Sequence, residues 1–312
     1  MPSHIASDIL PTQASRIIIW HRGALGDVLL AGPAWQALAA QYPRAQLTLV
    51  GGPAQLDLFT STLPVAQILD GSSARWLDLF QASGPLDAGL TDFLGQYDLA
   101  LVFTPQQQPE FLARWRQAGI PRVVWVPSFA AGKRTPIRHL QEDCLKNRGL
   151  QNPFEPFHLI IPESDQQQAQ TWQQQQWPSP APLVALAPGS GHRLKNWPLS
   201  HYVDLAEMLE EHCRAPVWWV LGPAESALER ELARRLEEGL FLCLRNLPLR
   251  ELAATLAEFD LYVGNDSGVT HLAAALQQPR VVAIFGPSDP YIWAPPGATL
   301  VTPEISCAPC TS

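Results

Sequence analysis

The chain has no apolar run near the roughly 20 residues that a membrane-spanning helix requires. Its first fifteen residues are polar, with neither a basic nor an apolar block, so no secretory leader is expected and the cytosol is the default compartment. Positive charge is scarce: 21 Lys and Arg stand against 29 Asp and Glu, a formal net charge of −8. That balance argues against a nucleic-acid binder and against broad adhesion to anionic lipid. Cysteine is sparse as well. Cys144, Cys213, Cys243, Cys307 and Cys310 form an odd, scattered set that implies no disulfide framework. The Cys307/Cys310 pair has no second pair with which to close a zinc site. H-E-x-x-H, nucleophile-elbow and P-loop motifs are all missing. So is the dinucleotide fingerprint G-x-G-x-x-G, which disfavours a dehydrogenase.

What is present suits two domains of about 150 residues each. A 46% hydrophobic fraction is enough for real cores. Apolar runs at Arg16–Trp20, Gln46–Val50, Leu99–Phe103 and Arg122–Val126 read as buried strands. Helical patterns at Asp27–Gln41, Gln107–Ala118 and Ile137–Arg148 alternate with them. Strand alternating with helix predicts a parallel sheet covered on both faces. The texture changes between Pro162 and Pro182, where a Gln-rich middle around Trp172 could form a solvated helix and the proline-rich end after Trp177 cannot continue one. The expected division is therefore a first domain over 1–162, a Gln/Pro-rich linker over 163–182 and a second domain over 183–312. Alternation then resumes. Strands are expected at Leu183–Leu186, Val217–Leu221, Phe241–Leu244, Leu261–Val263 and Val281–Phe285, with helices at His201–Glu211, Glu225–Glu237, Leu249–Glu258 and Val269–Leu276. Two such domains would leave a cleft, the usual place for a two-substrate site.

Four segments after strands carry the chemistry. Gly264-Asn-Asp-Ser-Gly268 is a polar turn between a strand and a helix start, a place where backbone N–H groups attract phosphate. Asp266 there caps the helix or accepts from sugar hydroxyls, and His271 is either structural or a donor to a phosphoryl oxygen. Pro188-Gly-Ser-Gly-His-Arg-Leu-Lys195 is a second turn, with Ser190, Gly191 and a mobile Lys195 suited to a diphosphate. Glu225 follows a strand and is either a ribose acceptor or an acidic first-turn residue favoured by the helix dipole. In Arg22-Gly-Ala-Leu-Gly-Asp27, two glycines let backbone approach a ligand. Asp27 is either an N-cap, the commoner role for the pattern alone, or a general base. Lys133, Arg134, Arg138 and His139 form a local basic cluster, either an anionic-acceptor site or a solvated loop.

Taken in order, Arg22–Asp27, Pro188–Pro198, Gly264–Ala273 and Phe285–Pro290 resemble the family 9 glycosyltransferases, the heptosyltransferases of lipopolysaccharide core assembly. The resemblance runs from about Arg16 to Pro296. It implies a GT-B fold, two Rossmann-like domains with parallel sheets facing across a cleft. It implies an inverting transfer of heptose from an ADP-activated donor to a lipid-linked acceptor, with Asp27 as base and Lys195 on the diphosphate. The donor site it implies includes Gly26, Ser190, Gly191, Glu225, Leu247 near adenine, and Asp266, Ser267, Gly268, Val269, Thr270 and His271. Arg22, Lys133, Arg134 and Arg138 would face the acceptor. Chains of this family finish with a helix crossing back onto the first domain, for which little room follows Val301.

The expected enzyme is thus a metal-independent transferase without a cofactor, since the ADP-sugar is a substrate. Its partners would be a nucleotide-sugar donor and a lipid-linked saccharide at the cytoplasmic face of the inner membrane, with no nucleic acid and no transmembrane segment. Other readings keep the fold and change the nucleotide sugar, make the protein a sugar-nucleotide epimerase, or leave an inactive nucleotide-sugar-binding relative.

Overall fold

The structure, a computed structural model, describes residues 8–130, 132, 134–177, 181–236, 241–305 and 308–310. The chain divides into two compact units, Met1–Phe157 and His158–Ser312. Each is built on one parallel sheet, and together they follow the GT-B plan of two Rossmann-like domains.

In the first unit the strands are β1 (Arg16–His21), β2 (Gln46–Gly51), β3 (Val65–Asp70), β4 (Leu99–Thr104) and β5 (Val123–Pro127). Their order across the sheet is β3-β2-β1-β4-β5, all parallel. The central strands are apolar on both faces because helices cover both. Trp20 of β1 anchors the core, its ring 5.5 Å from Trp76, 5.6 Å from Trp115 and 5.7 Å from Phe111. The order places β2 and β3 on one side of β1 and β4 and β5 on the other. Chains leaving β1 and β4 therefore part in opposite directions, the topological switch point where parallel sheets bind ligands at their carboxyl ends.

The second unit holds β6 (Val184–Ala187), β7 (Val217–Leu221), β8 (Leu242–Arg245), β9 (Leu261–Asn265), β10 (Arg280–Ile284) and β11 (Thr299–Val301). The order β11-β10-β9-β6-β7-β8 is again fully parallel. Its switch point lies between β6 and β9. Tyr202, Trp219 and Leu232 fill the core on one face of the sheet.

Several expectations need correction. The helix over Asp27–Gln41 is two helices, Leu25–Leu30 and Gly32–Gln41. Pro33, in the first turn of the second helix, lacks the N–H that a continuous helix would need there and clashes with the preceding turn. Gly32 leaves room for Phe157: a β-carbon there would lie 2.6 Å from its ring. The linker over 163–182 is not a linker where it is described. Glu163–Gln176 is a helix of the second unit, packed on the helix Leu249–Leu256. An Arg250–Asp165 ion pair and the Trp172–Trp218 ring contact at 4.9 Å hold it there. Its glutamines face water while Ala169 is buried. Elements between residues 65 and 98 were unassigned from sequence: edge strand β3, the 3-10 segment Ala74–Phe80 and the helix Ala88–Leu94. Strand β3 has only half-buried and exposed positions, so it lacks the apolar run that marks its neighbours. Exposed β11 is hidden for the same reason.

Candidate active site

The carboxyl end of β1 holds the first cluster. His21 is buried at 1% exposure, and the chain then turns through Gly23 into the helix Leu25–Leu30. The N-cap is Ala24, which has no side chain to cap with. Asp27, third in the helix and half-buried, reaches back instead, its Oδ2 accepting the Ala24 N–H at 3.2 Å. The expected N-cap aspartate is thus an N3 carboxylate, and that bond orients it at the switch point of the first sheet. Gly26 is the second residue of the same helix. Gly23 is required by contact: a β-carbon there would lie 2.6 Å from His21 Cε1 and 2.9 Å from Asp27 Cβ.

The basic groups expected on the acceptor side are exposed where they are described. Arg22 is exposed, and its guanidinium lies 5.7 Å from the Trp20 ring centroid and 5.8 Å from that of Phe80, a cation–π arrangement. Its charge, after two hydrogen bonds from Ser72, helps hold the Asp70 carboxyl below the usual carboxylate range. Arg134 and Arg138 are exposed, the latter on the helix Ile137–Lys146. Lys133 lies outside the described residues, as does Cys307, so the Cys307/Cys310 pair is described only at Cys310.

The second cluster spans the switch point of the second sheet. From β6 the chain runs through Gly189, Ser190 and Gly191 to a 3-10 turn, Arg193–Lys195. From β9 it runs through Asp266 and Ser267 into the helix Gly268–Ala274. Lys195 Nζ donates to Asp266 Oδ2 at 2.7 Å and so ties the two sides together. Asp266 is 6% exposed, so its charge needs this partner. The helix cap expected of Asp266 falls to another residue. Lys195 is paired, and Ser267 is the N-cap, its Oγ accepting the Thr270 N–H at 3.3 Å. Val269 continues the first helical turn and is half-buried.

His271 sits behind this pair with Nε2 3.9 Å from Asp266 Oδ1. Burial lowers its pKa to about 4, against the pull of Asp266 and with the help of Lys195, so the ring is neutral at pH 7. Thr270 donates its hydroxyl proton to the Asn265 carbonyl, and its Oγ1 lies 3.1 Å from the buried Tyr262 hydroxyl.

The rest of the expected donor site also lies on carboxyl-end loops of this sheet. Ser190 Oγ is 2.6 Å from Asn196 Oδ1 and accepts the His192 N–H at 3.3 Å, so it shapes its own loop. Glu225 follows β7 and its Oε2 accepts the Gly222 N–H at 2.9 Å, the same reach-back that Asp27 makes. Leu247 follows β8 and is half-buried. Two residues outside the expected set are structurally central. Asn265, fully buried, accepts the Trp197 N–H at 2.9 Å and donates to the Pro188 carbonyl at 2.8 Å. Gly189 makes room for Glu225, whose carboxylate carbon would lie 2.6 Å from a β-carbon there. The signal for Asn265 was present, since it ends an apolar strand inside the turn motif; its two partners are too distant in sequence to be read from it.

Comparison with known proteins fits this arrangement. The profile of glycosyltransferase family 9 (heptosyltransferase) matches residues 145–312, more than half of the chain. Lipopolysaccharide heptosyltransferase 2 of Escherichia coli is 25% identical over 303 residues, 88% of this chain and 84% of that protein. Lipopolysaccharide heptosyltransferase 1 of Pseudomonas aeruginosa is 37% identical over 134 residues, 42% of this chain but only 36% of that protein. Among solved structures, a family 9 glycosyl transferase from Veillonella parvula superposes with a TM-score of 0.76 at 18% identity, covering 94% of this chain and 87% of that one. The chain therefore belongs to glycosyltransferase family 9, the heptosyltransferase family.

Proposed function

We infer that the protein is an inverting glycosyltransferase that moves a heptose from an ADP-activated donor to a hydroxyl of a lipopolysaccharide-core-type acceptor. Family membership and the two named heptosyltransferase relatives support heptose transfer in lipopolysaccharide synthesis. The observation that carries the chemical assignment is the paired Lys195 and Asp266 beside the start of the helix Gly268–Ala274, at the switch point of the second sheet.

In this reading the donor diphosphate lies against the Ser267–Thr270 amides and the Lys195 ammonium, with Glu225 toward the ribose. Asp27 accepts the proton of the acceptor hydroxyl while its oxygen attacks the anomeric carbon. The bond from that carbon to the diphosphate oxygen breaks on the opposite face, the configuration inverts and ADP leaves. Charge grows on the leaving oxygen, so Lys195 and the oriented amides stabilise the transition state more than the bound donor. Arg22, Lys133, Arg134 and Arg138 are the basic groups that this reading turns toward the acceptor. The reaction needs neither cofactor nor metal, and a lipid-linked acceptor would draw the enzyme to the cytoplasmic face of the inner membrane. Among the described residues no helix is long and apolar enough to cross it.

The test is release of ADP from ADP-heptose with heptose-deficient core acceptors, run beside a panel of UDP- and GDP-sugars. Turnover with ADP-heptose and acceptor is expected, with an inverted product. Turnover only with another nucleotide sugar, or conversion of the donor without acceptor, would discard this reading in favour of a different donor or an epimerase. Asp27→Asn should retain donor binding and lose about 10²-fold or more in turnover.

A further inference from the structure

His21 stands out as a buried polar group with no part in the chemistry above. It ends β1 and is 1% exposed, with Phe103 and Trp35 ring centroids at 5.2 and 6.1 Å. Its Nδ1 accepts the Gly23 N–H at 3.1 Å, so the neutral ring carries its proton on Nε2. Nε2 is buried and has no hydrogen-bond partner among the described residues. A phenyl ring would fill the same aromatic pocket without stranding a donor. What the imidazole supplies that a phenyl ring does not is the acceptor for Gly23. Gly23 is in turn wedged between two side chains. A β-carbon on it would come within 2.6 Å of His21 Cε1, 2.9 Å of Asp27 Cβ and 3.1 Å of Asp27 Oδ2. The imidazole edge and the Asp27 carboxylate thus pack against the same backbone atom.

We propose that His21 is a positioning residue for Asp27: its Nδ1 pins the Gly23 amide and thereby fixes the loop and the helix start that aim the Asp27 carboxylate. With Nδ1 occupied and Nε2 buried, the ring itself does not reach a substrate. Burial lowers its pKa to about 4, so it keeps this one tautomer and charge throughout the range in which a carboxylate base works. The inference rests on Asp27 being the base.

The experiment compares His21→Phe, which removes the acceptor, with His21→Asn, whose Oδ1 can replace Nδ1, and with Asp27→Asn, all in the full chain. The readouts are kcat and donor KM for ADP release from ADP-heptose in the presence of acceptor. Displacement of a catalytic group by an ångström costs about 10²-fold, so His21→Phe should lose about 10- to 100-fold in kcat at unchanged donor KM. His21→Asn should recover most of that loss. Wild-type kcat in His21→Phe, a loss confined to donor KM, or equal impairment of the Phe and Asn variants would overturn the proposal. Should His21→Phe fail to fold, His21→Gln replaces it. Its amide reaches the Nε2 position rather than Nδ1, so it should stay impaired where Asn is active, and activity equal to Asn would count against the proposal. Retained turnover in Asp27→Asn would remove the base assignment and this inference with it. Lost turnover there beside an unimpaired His21→Phe would remove this inference alone.

Discussion

Two glycines two positions apart have opposite environments. A β-carbon at Gly189 would lie 2.4–2.6 Å from the Glu225 side chain, whereas one at Gly191 meets nothing within 4 Å. Gly189→Ala should therefore push Glu225 off the Gly222 amide and raise the donor KM, by about tenfold if one charge-assisted hydrogen bond is lost. A wild-type donor KM in Gly189→Ala would argue against the Glu225 contact. Lys195→Ala leaves the Asp266 carboxylate buried without its ammonium. In the proposed site it also removes the ammonium that faces the donor diphosphate, and a hydrogen bond to a charged group contributes about 1.5–3 kcal/mol, so donor affinity should drop by about tenfold or more in a titration with ADP. Unchanged affinity would exclude Lys195 from the donor site. At this scale the sequence was legible by residue type: a lysine, an aspartate and a histidine near a strand-to-helix turn. Their pairing was not, because Lys195 and Asp266 lie 71 positions apart.

Elements are set by local signals and joined by a few buried polar ties. Asn265 is the main tie of the second unit, since it holds the Trp197 amide and the Pro188 carbonyl to the end of β9. Asn265→Ala strands both groups, and two lost hydrogen bonds with unsatisfied partners should cost about 2–4 kcal/mol. Urea unfolding should show it as a lower midpoint at an unchanged slope, and a wild-type midpoint would mean that the loops do not depend on this side chain. Buried apolar strands were readable from sequence because they have no polar face. Edge strands β3 and β11 were not, because half-buried or exposed strands carry no such run. The split at Ala31 was available in principle from Gly32-Pro33, since proline in a helix interior breaks the ladder. The Gln-rich helix Glu163–Gln176 reads as a solvated part of a linker because its composition is polar, while its docking onto the second unit uses Ala169, Trp172 and Asp165.

For the molecule as a whole, the two buried histidines set a direction for acid stability. His21 and His271 titrate near pH 6.5 in the unfolded chain but only near pH 4 when folded. Between those values the unfolded state binds more protons, so stability is complete above about pH 6.5 and declines as pH falls toward 4. For His21 a displacement from 6.5 to about 4 amounts to on the order of 3 kcal/mol. His21→Asn should therefore lose less stability than wild type between pH 7.5 and 4.5 in paired urea titrations. Identical pH dependence would mean that the ring is not buried neutral.

The repeated strand–loop–helix units and the polar loops at the carboxyl ends of strands follow from local order along the chain, because apolar runs, glycines, prolines and capping residues act over a few positions. Strand order, and with it which loops meet at each switch point, emerges in the folded sheets. Sheet order is a property of contacts between distant segments. It brings Lys195 to Asp266, Asn265 to Pro188 and Glu225 to Gly189, and no local pattern encodes those distances.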